Sequence, residues 1–143
     1  MSKQVYYEDV AVGSDIPSIT RHPTSRQLVM WAGASDDYNE IHYDKEVTAA
    51  RNMPGIIVHG WLTASFLTQL LTGWAGDEGF IRKFGVAFRG MNFPGQDIVC
   101  KGKVLKKFVQ DKEHLVELEI WTENSKGEKT TPGTATVRLP SKA

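Results

Sequence analysis

From Gly60 to Gly73 the chain contains the run Trp61-Leu62-Thr63-Ala64-Ser65-Phe66-Leu67-Thr68-Gln69-Leu70-Leu71-Thr72, which is apolar on nearly every side when wound as a helix. Its interior polar groups are Gln69 and the hydroxyls of Thr63, Ser65 and Thr68. A helix with one apolar stripe can lie on a surface, but one that is apolar all round has to be buried. Gly73 and Gly76 fit its end. The residues that follow offer four strands at roughly Phe80–Arg89, Ile98–Phe108, His114–Glu123 and Thr130–Leu139. Turn-forming stretches separate them: Phe93-Pro94-Gly95-Gln96-Asp97, Gln110-Asp111-Lys112-Glu113 and Asn124-Ser125-Lys126-Gly127. The partial alternation of Leu115-Val116-Glu117-Leu118-Glu119-Ile120 is that of a half-exposed antiparallel strand. The expected class is α+β, one buried helix against one antiparallel sheet.

The segment before the helix is different in character. Tyr6 through Ile19 reads as a short strand with turns, with Gly13 and Pro17 as breakers. Thr24, with Gln27 three residues on, has capping-box spacing and opens a helix with Leu28, Trp31 and Ala32 on its apolar face, weakened at its end by Gly33. Residues 35–58 have no sustained period and form a long loop, interrupted by a short helix near Lys45–Arg51. Long loops in compact domains are often functional.

At 143 residues, with no repeats or low-complexity tract, the expectation is one domain, 1–143. Lys+Arg and Asp+Glu balance at 17 each, so bulk charge favours no nucleic-acid partner. The local run Lys101, Lys103, Lys106 and Lys107 is read as a solvated strand and turn. The single cysteine, Cys100, allows no intramolecular disulfide or multi-cysteine metal site, and is expected to be a buried small apolar residue. No apolar leader or membrane-length stretch is seen, which by elimination makes a cytoplasmic protein with no membrane partner the expectation.

The loop holds the chemistry. Ser35-Asp36-Asp37-Tyr38-Asn39-Glu40-Ile41-His42-Tyr43-Asp44 puts an acid, an amide and an imidazole on one irregular segment. If the chain curls, Asp37 and His42 can hold one water and move its protons, and Asn39 can fix the loop or a ligand. Gly60 follows at the first turn of the buried helix. There a free N–H and the helix dipole suit an oxyanion. Each residue alone has a plainer use: Asp and Asn make turns, a loop His is commonly structural, Gly60 can permit close packing, and His59 can cap or pack. A metal set of His42, Asp44 and His59 matches no motif with fixed offsets, so no metal is expected. Neither a phosphate-cradling glycine loop nor a G-x-S-x-G elbow occurs.

Together, the segment 35–44, Ile57-Val58-His59-Gly60-Trp61-Leu62, and the later Val86-Ala87-Phe88 with Phe93-Pro94-Gly95 resemble the MaoC-like, (R)-specific enoyl-CoA hydratase family over nearly the whole chain. The resemblance implies the hot-dog fold, a long central helix wrapped by a curved antiparallel sheet, usually as a homodimer. It implies Asp37 and His42 as the catalytic pair, Asn39 in support, and the Gly60 N–H as oxyanion hole. Ser65 or Thr68 would be the hydroxyl near the substrate, with His59 also at the site. One departure stands out: the family often has Pro after the Asn, where this chain has Glu40.

The function so implied is reversible hydration of a trans-2-enoyl thioester, on CoA or acyl carrier protein, to an (R)-3-hydroxyacyl thioester, with no cofactor. The acyl chain would lie along the apolar helix. The alternatives are an acyl-CoA thioesterase, or a non-catalytic acyl-thioester-binding subunit of a heterodimer.

Overall fold

The structure is a computed structural model that describes residues 3–142. In chain order the elements are β1 (Asp15–Arg21), α1 (Ser25–Ser35), α2 (Lys45–Ala50), α3 (Gly60–Ala75), β2 (Phe80–Val86), β3 (Ile98–Gln110), β4 (Glu113–Glu123) and β5 (Lys129–Arg138). Short 3-10 turns sit at Tyr7–Asp9 and Glu40–His42.

Helix α3 is buried along one side only: Trp61, Gln69, Thr72 and Gly73 on its other side are exposed, so the all-round burial suggested by its composition is met in part. Leu62, Phe66, Leu67, Leu70 and Leu71 are each at most 3% exposed. Such side chains contribute about 1.5–3 kcal/mol each when fully buried. They pack on the inner face of one five-stranded sheet of order β1-β3-β4-β5-β2, antiparallel throughout. The period-two pattern decides which face is inner. Along β4, Leu118, Ile120 and Thr122 are buried while Glu117, Glu119 and Glu123 turn outward. Two lysines of the run meet acids of the facing strand, Lys101–Glu123 at 2.8 Å and Lys106–Glu117 at 3.3 Å. Lys107 donates to the Val10 carbonyl. On β5, Lys129 pairs with Glu119 at 3.1 Å. Cys100 is buried in β3, and burial pushes its thiol up to about 12.

The element ends show where sequence and structure differ. Pro17 lies inside β1 instead of ending it. β1 is an edge strand, and its register slips between Ile16 and Ile19, so a missing N–H and a bulge are tolerated there. Gly73 does not end α3, which runs to Ala75 and is closed by Gly76 at φ 78°. Gly33 likewise stays within α1, and Asp36, left-handed at φ 59°, ends it. The Thr24 hydroxyl accepts from Gln27 N–H, as the spacing predicts. The β3–β4 turn at Asp111-Lys112 has both residues at positive φ, the geometry of a two-residue hairpin. Among the described residues no helix is long and apolar enough to cross a membrane.

Candidate active site

The loop between α1 and α3 is fixed by a staircase of side-chain caps. Asp37 Oδ1 accepts from Asn39 N–H at 3.3 Å, and Asn39 Oδ1 accepts from Ile41 N–H at 3.3 Å. Asp44 Oδ1 then accepts from Glu46 and Val47 N–H and caps α2. These are the Asx turns that such residues favour. Glu40 stands first in the 3-10 turn. At that position a proline's missing N–H is no loss and an acidic side chain is also favoured, so the two residues are interchangeable on local grounds.

The turn swings His42 inward until it is 6% exposed. Its Nδ1 lies 2.8 Å from the Ile57 carbonyl, which can only accept, so the neutral ring carries its proton on Nδ1. Ile57 is itself tied by donating its N–H to the Ile41 carbonyl at 3.1 Å. The lone pair on His42 Nε2 therefore faces Asp37, with Oδ2 at 3.8 Å. That gap is too long for a direct hydrogen bond and short enough for both atoms to hold one small polar group. The two partners differ in solvation: the Asp37 side chain is 45% exposed and that of His42 is 7% exposed.

Below His42 lies His59, 1% exposed, its ring stacked at 3.8 Å between centroids and 20° between planes. His59 Nε2 lies 3.2 Å from the Asp37 carbonyl and donates to it, while its Nδ1 is buried with no hydrogen-bond partner among the described residues. Burial first, and then the neighbouring His42, hold His59 below the ordinary imidazole range. The ligand atoms of Asp37, His42 and His59 lie within 4.8 Å of one another, so these three are the group that could hold a metal. Asp44, the acid of the set weighed and set aside from the sequence, is committed to the start of α2. In this geometry the His59 nitrogen next to Asp37 bears a proton and has no lone pair to offer.

Gly60 follows as the first residue of α3, and its N–H has no acceptor among the described residues. A Cβ at this position would meet the Phe88 ring at 3.0–3.1 Å. Trp61, 63% exposed, meets the same ring edge-on at 5.7 Å. The glycine thus serves close packing and an open donor together.

Ser65 and Thr68 do not join this group. Their hydroxyls donate to helix carbonyls, Ser65 to Leu62 at 2.6 Å and Thr68 to Ser65 at 2.8 Å. The cavity that reaches His42 and His59, about 260 Å³, is walled by Leu28, Val29 and Ala32 of α1 and by Tyr38 and Tyr43. It lies against α1, whereas the sequence placed the acyl chain along α3; the side of α3 that the sheet leaves uncovered carries Trp61, Gln69, Thr72 and Gly73. A support that the sequence reading missed stands behind the loop. Thr122 donates to Thr130, Thr130 donates to Asn92 Oδ1, and the Asn92 carbonyl accepts from Val58 N–H at 2.8 Å. Buried hydroxyls on inward positions of β4 and β5 were the available signal.

An antiparallel sheet packed on one long helix is the hot-dog architecture. The model of the "MaoC like domain" matches residues 11–126, and the chain belongs to that family. An (R)-hydratase from A. caviae involved in PHA biosynthesis superposes with a TM-score of 0.84 at 22% identity, covering 93% of this chain and 99% of that one, and shares the hot-dog fold. The 3-oxo-4,17-pregnadiene-20-carboxyl-CoA hydratase beta subunit of Mycobacterium tuberculosis is 23% identical over 128 residues, 90% of this chain and 94% of that protein. Fatty acid synthase subunit beta of Aspergillus oryzae is 32% identical over 75 residues, 50% of this chain. The matched stretch is 4% of that synthase subunit's length.

Proposed function

We propose that this chain adds water reversibly to a trans-2-enoyl thioester, carried on CoA or acyl carrier protein, to give the (R)-3-hydroxyacyl thioester. The observation that carries this reading is the facing pair itself: a lone-pair nitrogen, His42 Nε2, opposite Asp37 Oδ2 at 3.8 Å, with the other ring nitrogen tied to Ile57. A water held at about 2.8 Å from each atom fits such a gap. Its oxygen bonds to C3 of the enoyl group while one of its protons passes through the pair to C2, so no other reactant is consumed. As the C2–C3 double bond opens, charge moves onto the thioester oxygen. The Gly60 N–H at the head of α3 supplies a donor for it. The cavity against α1 takes the acyl chain. The family likeness also supports a homodimer.

A second reading is favoured by the mycobacterial relative, which is named as a beta subunit and matches over nearly its full length. On that reading the chain binds the thioester and hydrates it only with a partner of related fold. Loss of the enoyl-thioester absorbance with crotonyl-CoA and longer substrates, followed by chiral analysis of the product, tests the proposal directly. Free thiol release would point to a thioesterase instead. Asp37→Asn and His42→Ala are each expected to lower kcat by about a hundredfold or more with the circular dichroism unchanged. Hydration near the wild-type rate by both variants would sink the assignment.

A further inference from the structure

His59 was expected at the substrate, yet its ring is 1% exposed and both of its contacts are to the catalytic pair. One face lies flat under the His42 ring at 3.8 Å, and the Nε2–H closes on the carbonyl of Asp37. We infer that His59 is the positioning residue of the site, a single side chain that sets the plane of the His42 ring and the placement of the Asp37 backbone at once.

The caps that fix this loop run along the chain, from one loop residue to the next, and do not reach the core. Asp37 follows the left-handed Asp36, and among the described residues its carboxylate accepts a hydrogen bond only from Asn39 N–H. Without the His59 donor, the Asp37–Tyr38 peptide has no anchor to the core among the described residues. His42 is held in its ring plane by one bond, Nδ1–H to Ile57, and such a bond leaves the ring free to rock about it. A stacked neighbour removes that motion. His59 is suited to this by remaining neutral, which burial and the adjacent His42 both favour, so it can stack closely without repelling a proton that His42 takes up. Its place is fixed in turn because it immediately precedes α3, with the Val58 N–H bound to Asn92. Misplacement of reacting groups by about 1 Å can lower a rate by about a hundredfold.

The inference rests on the proposed hydration for its kinetic readout, so a second readout that needs no substrate goes with it. His59→Phe keeps a ring to stack and removes the donor. His59→Gln keeps a donor and removes the stack. In both, kcat for crotonyl-CoA is expected to fall about ten- to a hundredfold with KM changed less than about threefold. The same changes in an Asp37→Asn, His42→Ala background should have no further effect, because His59 acts through the pair. Nitrogen-15 spectra of the substrate-free protein should show His42 protonated on Nδ1 in the wild type and in His59→Phe, and mixed between its nitrogens in His59→Gln. A rise in KM at constant kcat would return His59 to the substrate and overturn the inference, as would losses that add to those of the Asp37→Asn, His42→Ala double variant. Loss of the fold in both variants would make it a core residue and would equally overturn it. If the wild type hydrates nothing, the proposed function fails, while the spectra still decide the role of His59 beside His42.

Discussion

At the residue scale the site depends on very small tolerances. Gly60 leaves 3.0 Å between a would-be Cβ and the Phe88 ring, less than real Cβ atoms ordinarily keep. Gly60→Ala must move that ring, which is half exposed and able to swing, away from the helix terminus it now covers. Stability should change by less than about 1 kcal/mol, since alanine is the better helix former. Turnover should fall about ten- to a hundredfold as the wall beside the donor shifts. Steady-state kinetics beside a thermal melt check the separation, and an unchanged kcat would detach Phe88 and Gly60 from the chemistry. The residue types at this site were legible in the sequence because acid, amide, imidazole and glycine have few joint uses at such spacing. Their division of labour was not. That His42 carries its proton on Nδ1, and that His59 supports rather than binds, depends on carbonyls of Ile57 and Asp37, and backbone oxygens have no signature in the side-chain sequence.

At the scale of elements, periodicity was informative and terminators were less so. The helix α3 and strands β3, β4 and β5 stand where apolar pattern put them, within a few residues. Gly73 and Pro17 suggested breaks that did not occur, while Gly76 does close α3. Burial of α3 outweighs the roughly 1 kcal/mol cost of an internal glycine, and an edge strand tolerates a proline. Ser65 and Thr68 show how local bonding uses such groups. A hydroxyl on a buried helix finds its own carbonyls first, so its presence there says little about a ligand. The Thr122–Thr130–Asn92 chain ties the sheet to the residue before His59. Asn92→Ala leaves the Thr130 hydroxyl buried with one acceptor fewer. We expect it to lower the unfolding free energy by about 1–3 kcal/mol, measured by urea denaturation. A neutral result would mean that the strut is dispensable.

At the scale of the whole molecule, the fold turns a buried imidazole into a dependence of stability on pH. His59 sits below its unfolded value of 6.5 in the native state. The unfolded chain then binds the proton first as pH falls, so this group favours unfolding progressively below pH 6.5 and has no effect well above it. Urea midpoints should therefore decline from pH 7.5 to 5.5, and His59→Phe should flatten that decline. An equal decline in the variant would assign it to other groups. The class of fold was fully readable, because an all-round apolar helix followed by extended segments has few ways to be covered. The cavity against α1 was not. It is made by the meeting of α1 with the segment 38–43, two stretches whose contact depends on how the loop closes rather than on any local pattern.

Cys100 gives the molecule a silent clock. Its sulfur is buried in β3 beside the edge strand β1, where Cys100 pairs with Ile19, and its thiolate is disfavoured by the same burial. A thiol reagent can reach it only after an opening of the structure around it. The rate at which the native protein takes up one such label, in excess reagent, therefore reports how often this side of the sheet opens, with no added probe. The chain also accepts a single engineered cysteine anywhere on its surface without competition from its own.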